Sequence, residues 1–348
     1  MWLGALRVKP ERRPKVAITQ GDLGLDLGSR ELPVLDERGR GARFLSLPVR
    51  QVLNSPATTG MEFWSINPYI GCEFGCSYCY ARKTHEWTME KRAGRTDGHA
   101  VRASAGPSPA WHAFEHEILV KDTAPEVLLR TLDPSRIGKA PIVIGTATDP
   151  YQPAERRFRI TRRLLEALLL HRGLHLGIIT KSPLIVRDID VLTAIGERHR
   201  LSVNISIASA DAVLLRRIEA RSPAPHARLR ALERLTQAGI NAGVLIAPIL
   251  PGITDGWPAL ATLMEAAKEA GARWVVGQAL RLGDAARTGF LPVLERQFPD
   301  LVSRYQQRYG RTDSAGKDYE RALARRILAL QETFGFPLRD GMRSPPPA

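Results

Sequence analysis

The run Cys72-Glu73-Phe74-Gly75-Cys76-Ser77-Tyr78-Cys79-Tyr80 holds all 3 cysteines of the 348-residue chain. Their spacing is C-x3-C-x2-C, and an aromatic residue, Tyr78, precedes the last of them. Thiolates are soft ligands, and clustered thiolates favour iron–sulfur clusters or zinc. A four-iron cubane ordinarily takes four protein thiolates. This loop supplies three, so a cubane held here keeps one iron open to a substrate or cofactor. A disulfide is disfavoured, because the cysteine count is odd and no signal peptide precedes it. The remaining alternative is a structural Cys3His zinc site with His85 as the fourth ligand. Structural zinc more often uses two separated C-x2-C knuckles, and this chain has a single short cysteine interval.

Outward from this loop, apolar runs rich in β-branched residues alternate with helical stretches, the pattern of βα units. Six strands are expected, at 62–69, 141–147, 174–180, 201–208, 242–249 and 273–280. Between them the periodicity predicts helices. Ile160, Leu164, Leu165, Leu168 and Leu169 form one stripe, and Leu260, Leu263, Met264 and Ala267 another. A third helix at 226–238 groups Leu229, Leu232 and Leu235, with Gly239 where a C-cap belongs. In βα architectures the functional groups collect in loops after the strands. The cysteine loop follows the first strand. Thr148-Asp149-Pro150 ends the second, Lys181-Ser182 the third, Ser206 to Ser209 the fourth, and Ile249-Leu250-Pro251-Gly252 the fifth.

The cysteine spacing resembles the signature of the radical S-adenosylmethionine (SAM) enzymes. The wider run Asn67-Pro68-Tyr69-Ile70-Gly71-Cys72 through Tyr80-Ala81-Arg82 resembles their spore-photoproduct-lyase-like branch, whose members are mostly of unassigned function. Thr146-Ala147-Thr148-Asp149-Pro150-Tyr151-Gln152-Pro153, Thr180-Lys181-Ser182 and Glu219-Ala220-Arg221-Ser222-Pro223 carry the likeness downstream, over roughly residues 60 to 285. The resemblance implies an α/β partial TIM barrel, (β/α)6, and a [4Fe–4S] cluster on Cys72, Cys76 and Cys79. It also implies that SAM is cleaved reductively to a 5′-deoxyadenosyl radical that abstracts hydrogen. An electron donor of flavodoxin or ferredoxin type is then the expected partner.

SAM needs acceptors for its ammonium, a cation for its carboxylate and polar groups for its ribose. Many members of the superfamily read the ammonium with a Gly-Gly-Glu motif after the second strand, which this chain lacks. Thr146, Thr148 and Asp149 stand there instead, although an Asp before Pro also commonly caps a turn. Tyr78 matches the aromatic that packs near the adenine. Lys181 and Arg221 are the candidate cations, with surface charge as the ordinary alternative. Asn204 and Ser206 alternate on the fourth strand as candidate ribose contacts. Spore photoproduct lyase uses an additional cysteine as hydrogen donor. No cysteine lies outside the cluster loop here, so Tyr80 and Tyr151 are the weak candidates for that role.

The expected organisation is an N-terminal extension over 1–58, largely irregular, then the barrel core over 59–285. A basic insertion at about 83–122 interrupts the core, a helical region covers 286–342, and 343–348 is a disordered tail. The net charge of +14, from 50 Lys and Arg against 36 Asp and Glu, attracts polyanions. Nucleic acid, an acidic electron donor and an Arg-rich composition each account for it. The leading reading is therefore a radical SAM enzyme with a nucleic-acid-related substrate. A small-molecule or peptide substrate is one alternative, and a non-catalytic zinc- or cluster-containing nucleic-acid-binding protein is the other. No run of 18 apolar residues appears, so no membrane span is expected and the cytoplasm is the expected location.

Overall fold

Ala42, Phe44 and Leu45 are buried along a short strand on which Arg43 stays exposed, and the strand pairs at once with the chain before it. The computed structural model describes residues 32–38, 41–92 and 109–337. Residues 1–31, 39–40, 93–108 (with Arg95 and Arg102 of the basic insertion) and 338–348, which hold the end of the expected helical region and the tail, lie outside the described residues. The described chain forms two units. One comprises residues up to 73 with 81–179 and 187–201, and the other comprises 74–80, 180–186 and 202–337.

In the first unit, β1 (Val34–Arg38) and β2 (Ala42–Ser46) form an antiparallel hairpin. β3 (Trp64–Ile66) follows, then β4 (Tyr69–Ile70) and β5 (Glu117–Val120). The order β1-β2-β5-β4 makes a small sheet. This part of the N-terminal extension is therefore a strand pair rather than irregular chain. Phe44 and Leu47 are fully buried, so their hydrophobic burial accounts for the order. The ends of the insertion are ordered likewise, with helices Arg82–Arg92 and Pro109–His116 leading into β5. Phe114, Ile118, Leu119 and Val120 are buried there.

The second sheet of this unit begins with β3, paired in parallel with β6 (Ile142–Ile144) through Trp64↔Ile142 and Ile66↔Ile144. β6 pairs in parallel with β7 (His175–Thr180). The strand expected at 62–69 thus ends at Ile66. Asn67-Pro68 breaks it, because proline offers no N–H to a ladder, and Tyr69–Ile70 joins the small sheet instead. β6 stops at Gly145, whose φ of 93° is left-handed and whose added Cβ would meet Ile179 O at 2.5 Å. Only glycine fits there.

In the second unit, β8 (Arg200–Ser206), β9 (Ala242–Ile249) and β10 (Val275–Ala279) pair in parallel. Val203 stands opposite Ala242, and Val244 opposite Val275. Helix Trp257–Glu269 buries Leu260, Leu263, Met264 and Ala267, the expected stripe. Helix Pro225–Gln237 buries Arg228, Ala231, Leu232 and Leu235, while Leu229 is only half-buried. The C-terminal region is helical over Asp284–Gln297, Val302–Tyr309 and Lys317–Thr333. No helix among the described residues is long and apolar enough to cross a membrane.

Candidate functional site: the cysteine loop and its two sets of holders

The loop begins where β4 ends. Gly71 has a φ of 89°, and an added Cβ would meet Phe114 O at 2.9 Å. The next amide, Cys72 N–H, donates to the same carbonyl at 2.9 Å. Glycine at 71 thus lets the backbone turn tightly into the cysteines. All three cysteines are free thiols, with Cys72 and Cys76 buried and Cys79 half-buried.

The first unit holds the start of the loop with neutral groups. Thr148 Oγ1 donates to Gly71 O at 2.6 Å, and Gln152 Nε2 donates to the same oxygen at 3.2 Å. Gln152 Nε2 also donates to Thr148 Oγ1 at 3.0 Å. Its Oε1 accepts from Glu73 N–H at 3.0 Å, and Glu73 Oε2 accepts from Ala154 N–H at 2.6 Å. Gln152 is fully buried, so these bonds satisfy an amide that water cannot reach. Asn67 braces the neighbouring loop, with Nδ2 donating to Thr146 Oγ1 at 3.1 Å and Oδ1 accepting from Ala147 N–H at 2.7 Å. Asp149 Oδ1 accepts from Tyr151 N–H at 2.9 Å, the capping geometry that an Asp before Pro commonly adopts.

Beneath these contacts lies a buried carboxylate. Glu155 accepts from the Tyr69 hydroxyl, from Thr161 N–H at 3.0 Å and from Arg187 Nη2 at 3.0 Å. Burial is the main force raising its pKa, and these hydrogen bonds oppose it. The Tyr151 ring is fully buried, and burial pushes its hydroxyl well above the usual tyrosine range. Tyr80, by contrast, is 55% exposed. His85 is fully buried with Nε2 3.0 Å from Glu117 O.

The second unit holds the end of the loop with charges. Ser77 N–H donates to Ile218 O at 3.1 Å, and Cys76 and Glu219 form an antiparallel bridge. The Glu219 carboxylate is completely enclosed. Oε1 accepts from Lys181 Nζ at 2.5 Å and from the Tyr78 hydroxyl. Oε2 accepts from Arg228 Nη2 and from Ser222 Oγ at 2.5 Å. Burial opposes the charge, but Lys181 and Arg228 hold the carboxyl well below the usual range. Lys181 Nζ also donates to the Tyr78 hydroxyl at 2.7 Å, stands 3.5 Å from Cys76 Sγ and lies 4.9 Å from the Tyr78 ring centre.

Arg228 is fully buried. Its remaining donors reach Ser206 O at 2.9 Å, Pro223 O at 2.8 Å and Ser222 Oγ at 2.7 Å. Arg221 is exposed, so the buried cation of this segment is Arg228. Asn204 Oδ1 accepts from Trp274 Nε1 at 3.1 Å, and Ser206 Oγ donates to Ala247 O at 3.1 Å. Both candidate ribose contacts thus already have partners within their own unit.

Gln152, Glu155, Glu219 and Arg228 were not singled out as site residues by sequence reasoning. For Arg228 a signal existed. It lies at i with Ala231, Leu232 and Leu235 at i+3, i+4 and i+7, an arginine on the apolar stripe of its helix.

The donor set fits an iron–sulfur cluster. Three unbridged thiols sit on one short loop, and thiolate is the ligand such clusters take. Burial pushes the Cys76 thiol up to about 12, with Lys181 opposing. The thiol is therefore protonated at neutral pH, and coordination to a metal is what would deprotonate it.

The radical SAM superfamily model matches residues 66–264, from the end of β3 into the helix after β9. An uncharacterized protein of Mycobacterium tuberculosis is 32% identical over 292 residues, 83% of this chain and 80% of the relative. One from Methanocaldococcus jannaschii is 27% identical over 61% of this chain and 69% of its own length. Among solved structures, a spore photoproduct lyase variant has a TM-score of 0.58 at 15% identity, covering 88% of this chain and 86% of the lyase. A second lyase variant, with bound AdoMet and dinucleoside spore photoproduct, has a TM-score of 0.56 at 18% identity over 88% and 84%. At these identities the lyases speak for the α/β partial-barrel fold alone. The superfamily match over more than half the chain carries the assignment beyond fold: this protein belongs to the radical SAM superfamily and is an enzyme of S-adenosylmethionine and iron–sulfur chemistry.

Proposed function

We propose that the chain reductively cleaves SAM at a [4Fe–4S] cluster held by Cys72, Cys76 and Cys79, and abstracts hydrogen from a nucleic-acid-related substrate. A cluster bound there supplies the electron that breaks the sulfonium bond and yields the 5′-deoxyadenosyl radical. The observation that carries this reading is the loop itself, three free thiols with Lys181 Nζ 3.5 Å from Cys76 Sγ. In this reading Lys181 is the cation for the SAM carboxylate, and Glu219 fixes its ammonium in place. Tyr78 is the ring beside the adenine. Thr148 and Gln152 position the loop, because their polar atoms are spent on Gly71 O. Thr146, Thr148 and Asp149 remain the candidates for the SAM ammonium, Thr148 through a lone pair of the same hydroxyl that donates to Gly71 O. Asn204 and Ser206 line the fourth strand as second-choice ribose contacts, and Arg221 is set aside in favour of Arg228.

The nucleic-acid class has two supports. One is the net charge of +14. The other is the shared fold with lyases whose solved complex contains a dinucleoside photoproduct. An acidic flavodoxin or ferredoxin is the electron donor in this reading, and the reducing cytoplasm is the compartment that keeps the thiols available.

The test is anaerobic reconstitution. The protein should take up about four irons and four sulfides, and Ala at Cys72, Cys76 or Cys79 should abolish uptake. The reduced protein should then release 5′-deoxyadenosine and methionine from SAM. Stoichiometric zinc without iron in anaerobically purified protein overturns the cluster. Nucleic-acid binding that does not weaken with salt removes the substrate class, since neutralised phosphates release counterions.

A further inference from the structure

Lys121 is a buried cation that the reading above leaves unused. The residue is only 6% exposed. Its backbone is satisfied, with the N–H donating to Pro68 O at 3.2 Å and the carbonyl accepting from Ala124 N–H at 3.0 Å. Among the described residues its ammonium makes no hydrogen bond or ion pair, and it is not one of the fully enclosed polar atoms. The adjacent carboxylate, Asp122, accepts from Ser46 Oγ at 2.7 Å. Glu155 lies across the Tyr69 hydroxyl and is held by Arg187. Lysine is almost never buried without a partner, because removing an unpaired charge from water costs several kcal/mol. Burial accordingly lowers the Lys121 pKa to about 8.

Lys121 lines a cavity of about 30 Å³ together with Asn54, Asn67, Tyr69, Ile70, Thr84 and Ala147. No carboxylate lines it. Such a volume holds roughly two water-sized groups, the size of a carboxylate head. Asn67 and Ala147 join the cavity to the loop after β6, since Asn67 Oδ1 accepts from Ala147 N–H at 2.7 Å.

We propose that this cavity is an anion subsite that takes a carboxylate, with Lys121 as its cation and Thr84 and Asn54 as its neutral neighbours. An anion there supplies the partner that the Lys121 ammonium lacks, through a charge-assisted hydrogen bond. The carboxylate comes either from a free small acid or from a larger bound ligand, and only the second source rests on the proposed function.

The probe is formate, added to the full-length protein at constant ionic strength. The wild-type midpoint of thermal unfolding should rise with the logarithm of formate concentration, by about 2 °C at tenfold excess over Kd. Lys121→Met should lose that response, and Lys121→Arg should keep part of it. Equal responses in wild type and Lys121→Met overturn the subsite. Should the Met variant not fold, wild-type crystals grown with bromide decide the matter. An anomalous peak within hydrogen-bonding distance of Lys121 Nζ supports the subsite, and an empty cavity overturns it.

Competition then separates the sources. Formate that weakens S-adenosylhomocysteine binding places a ligand carboxylate in the cavity, whereas formate without that effect marks a free-anion site. If S-adenosylhomocysteine does not bind at all, the SAM reading fails while the formate result stands.

Discussion

Two regions hold the cysteine loop, and they do so by opposite chemistry. Before Glu73 the holders are neutral: Thr148, Gln152 and Asn67 exchange hydrogen bonds with backbone and with one another. After Phe74 the holders are charged: Lys181 and Arg228 converge on the enclosed Glu219. A neutral hydrogen bond is worth about 1 kcal/mol net, and losing it costs little more unless a buried group is orphaned. A buried ion pair is different. It contributes little over an apolar replacement, but removing one partner strands the other charge. The charged side should therefore tolerate single substitutions far worse than the neutral side.

The largest expected effect tests that asymmetry. Arg228→Met strands Glu219 with Lys181 alone and should destabilise the protein by about 3–5 kcal/mol. Adding Glu219→Gln should deepen the loss rather than recover it, because Lys181 then loses the carboxylate it pairs with. Urea unfolding of the single and double variants measures this. An Arg228→Met variant as stable as wild type would mean that the network is only a contact pattern.

Much of this architecture was legible in the chain. The run at 242–249 is the strand β9 to the residue, and the stripe of Leu260, Leu263, Met264 and Ala267 is buried. Both are local signals, carried by side-chain period. The holders were harder to see because they are not local. Tyr78 and Glu219 are 141 residues apart, and Gln152 and Gly71 are 81 apart. No periodicity links such pairs, so the family-like run Glu219-Ala220-Arg221-Ser222-Pro223 suggested Arg221, which is exposed, over Arg228, which is buried. Only the helical phase of Arg228 marked it. The hairpin β1–β2 was hidden for another reason. Its strands are five residues each and are rich in charge, with Asp36, Glu37, Arg38 and Arg43.

The intermediate effect concerns Lys121, a charge that neither style of holding explains. With no anion present, its pKa is about 8 when folded and near 10.4 when unfolded. Between those values the unfolded chain binds more protons, so stability rises with pH. Below pH 8 both states are charged and the full burial penalty is present. It is relieved as pH climbs toward 10.4, by roughly 3 kcal/mol at most. Unfolding of wild type and Lys121→Met in a carboxylate-free buffer at pH 7.5 and pH 10 should converge as pH rises. Parallel pH dependence in the two proteins would remove the buried charge.

The smallest effect sharpens the neutral side. Thr148→Val deletes the hydroxyl that donates to Gly71 O at 2.6 Å and accepts from Gln152 at 3.0 Å, with almost no change in volume. Gly71 O keeps its bond to Gln152 Nε2 at 3.2 Å, so the carbonyl is not orphaned. The expected loss of stability is about 1–2 kcal/mol, well below that of Arg228→Met. Its functional consequence depends on which job the hydroxyl performs. If Thr148 positions the loop, the variant should release iron to a chelator several-fold faster than wild type and bind S-adenosylhomocysteine with nearly unchanged affinity. If instead Thr148 contacts the SAM ammonium, iron release should match wild type and affinity should fall. A hydrogen bond to a charged group is worth about 1.5–3 kcal/mol, or roughly 10- to 150-fold in Kd. The geometry favours the first outcome, because Thr148 Oγ1 donates to Gly71 O and already accepts from Gln152 Nε2, which leaves one lone pair for an ammonium.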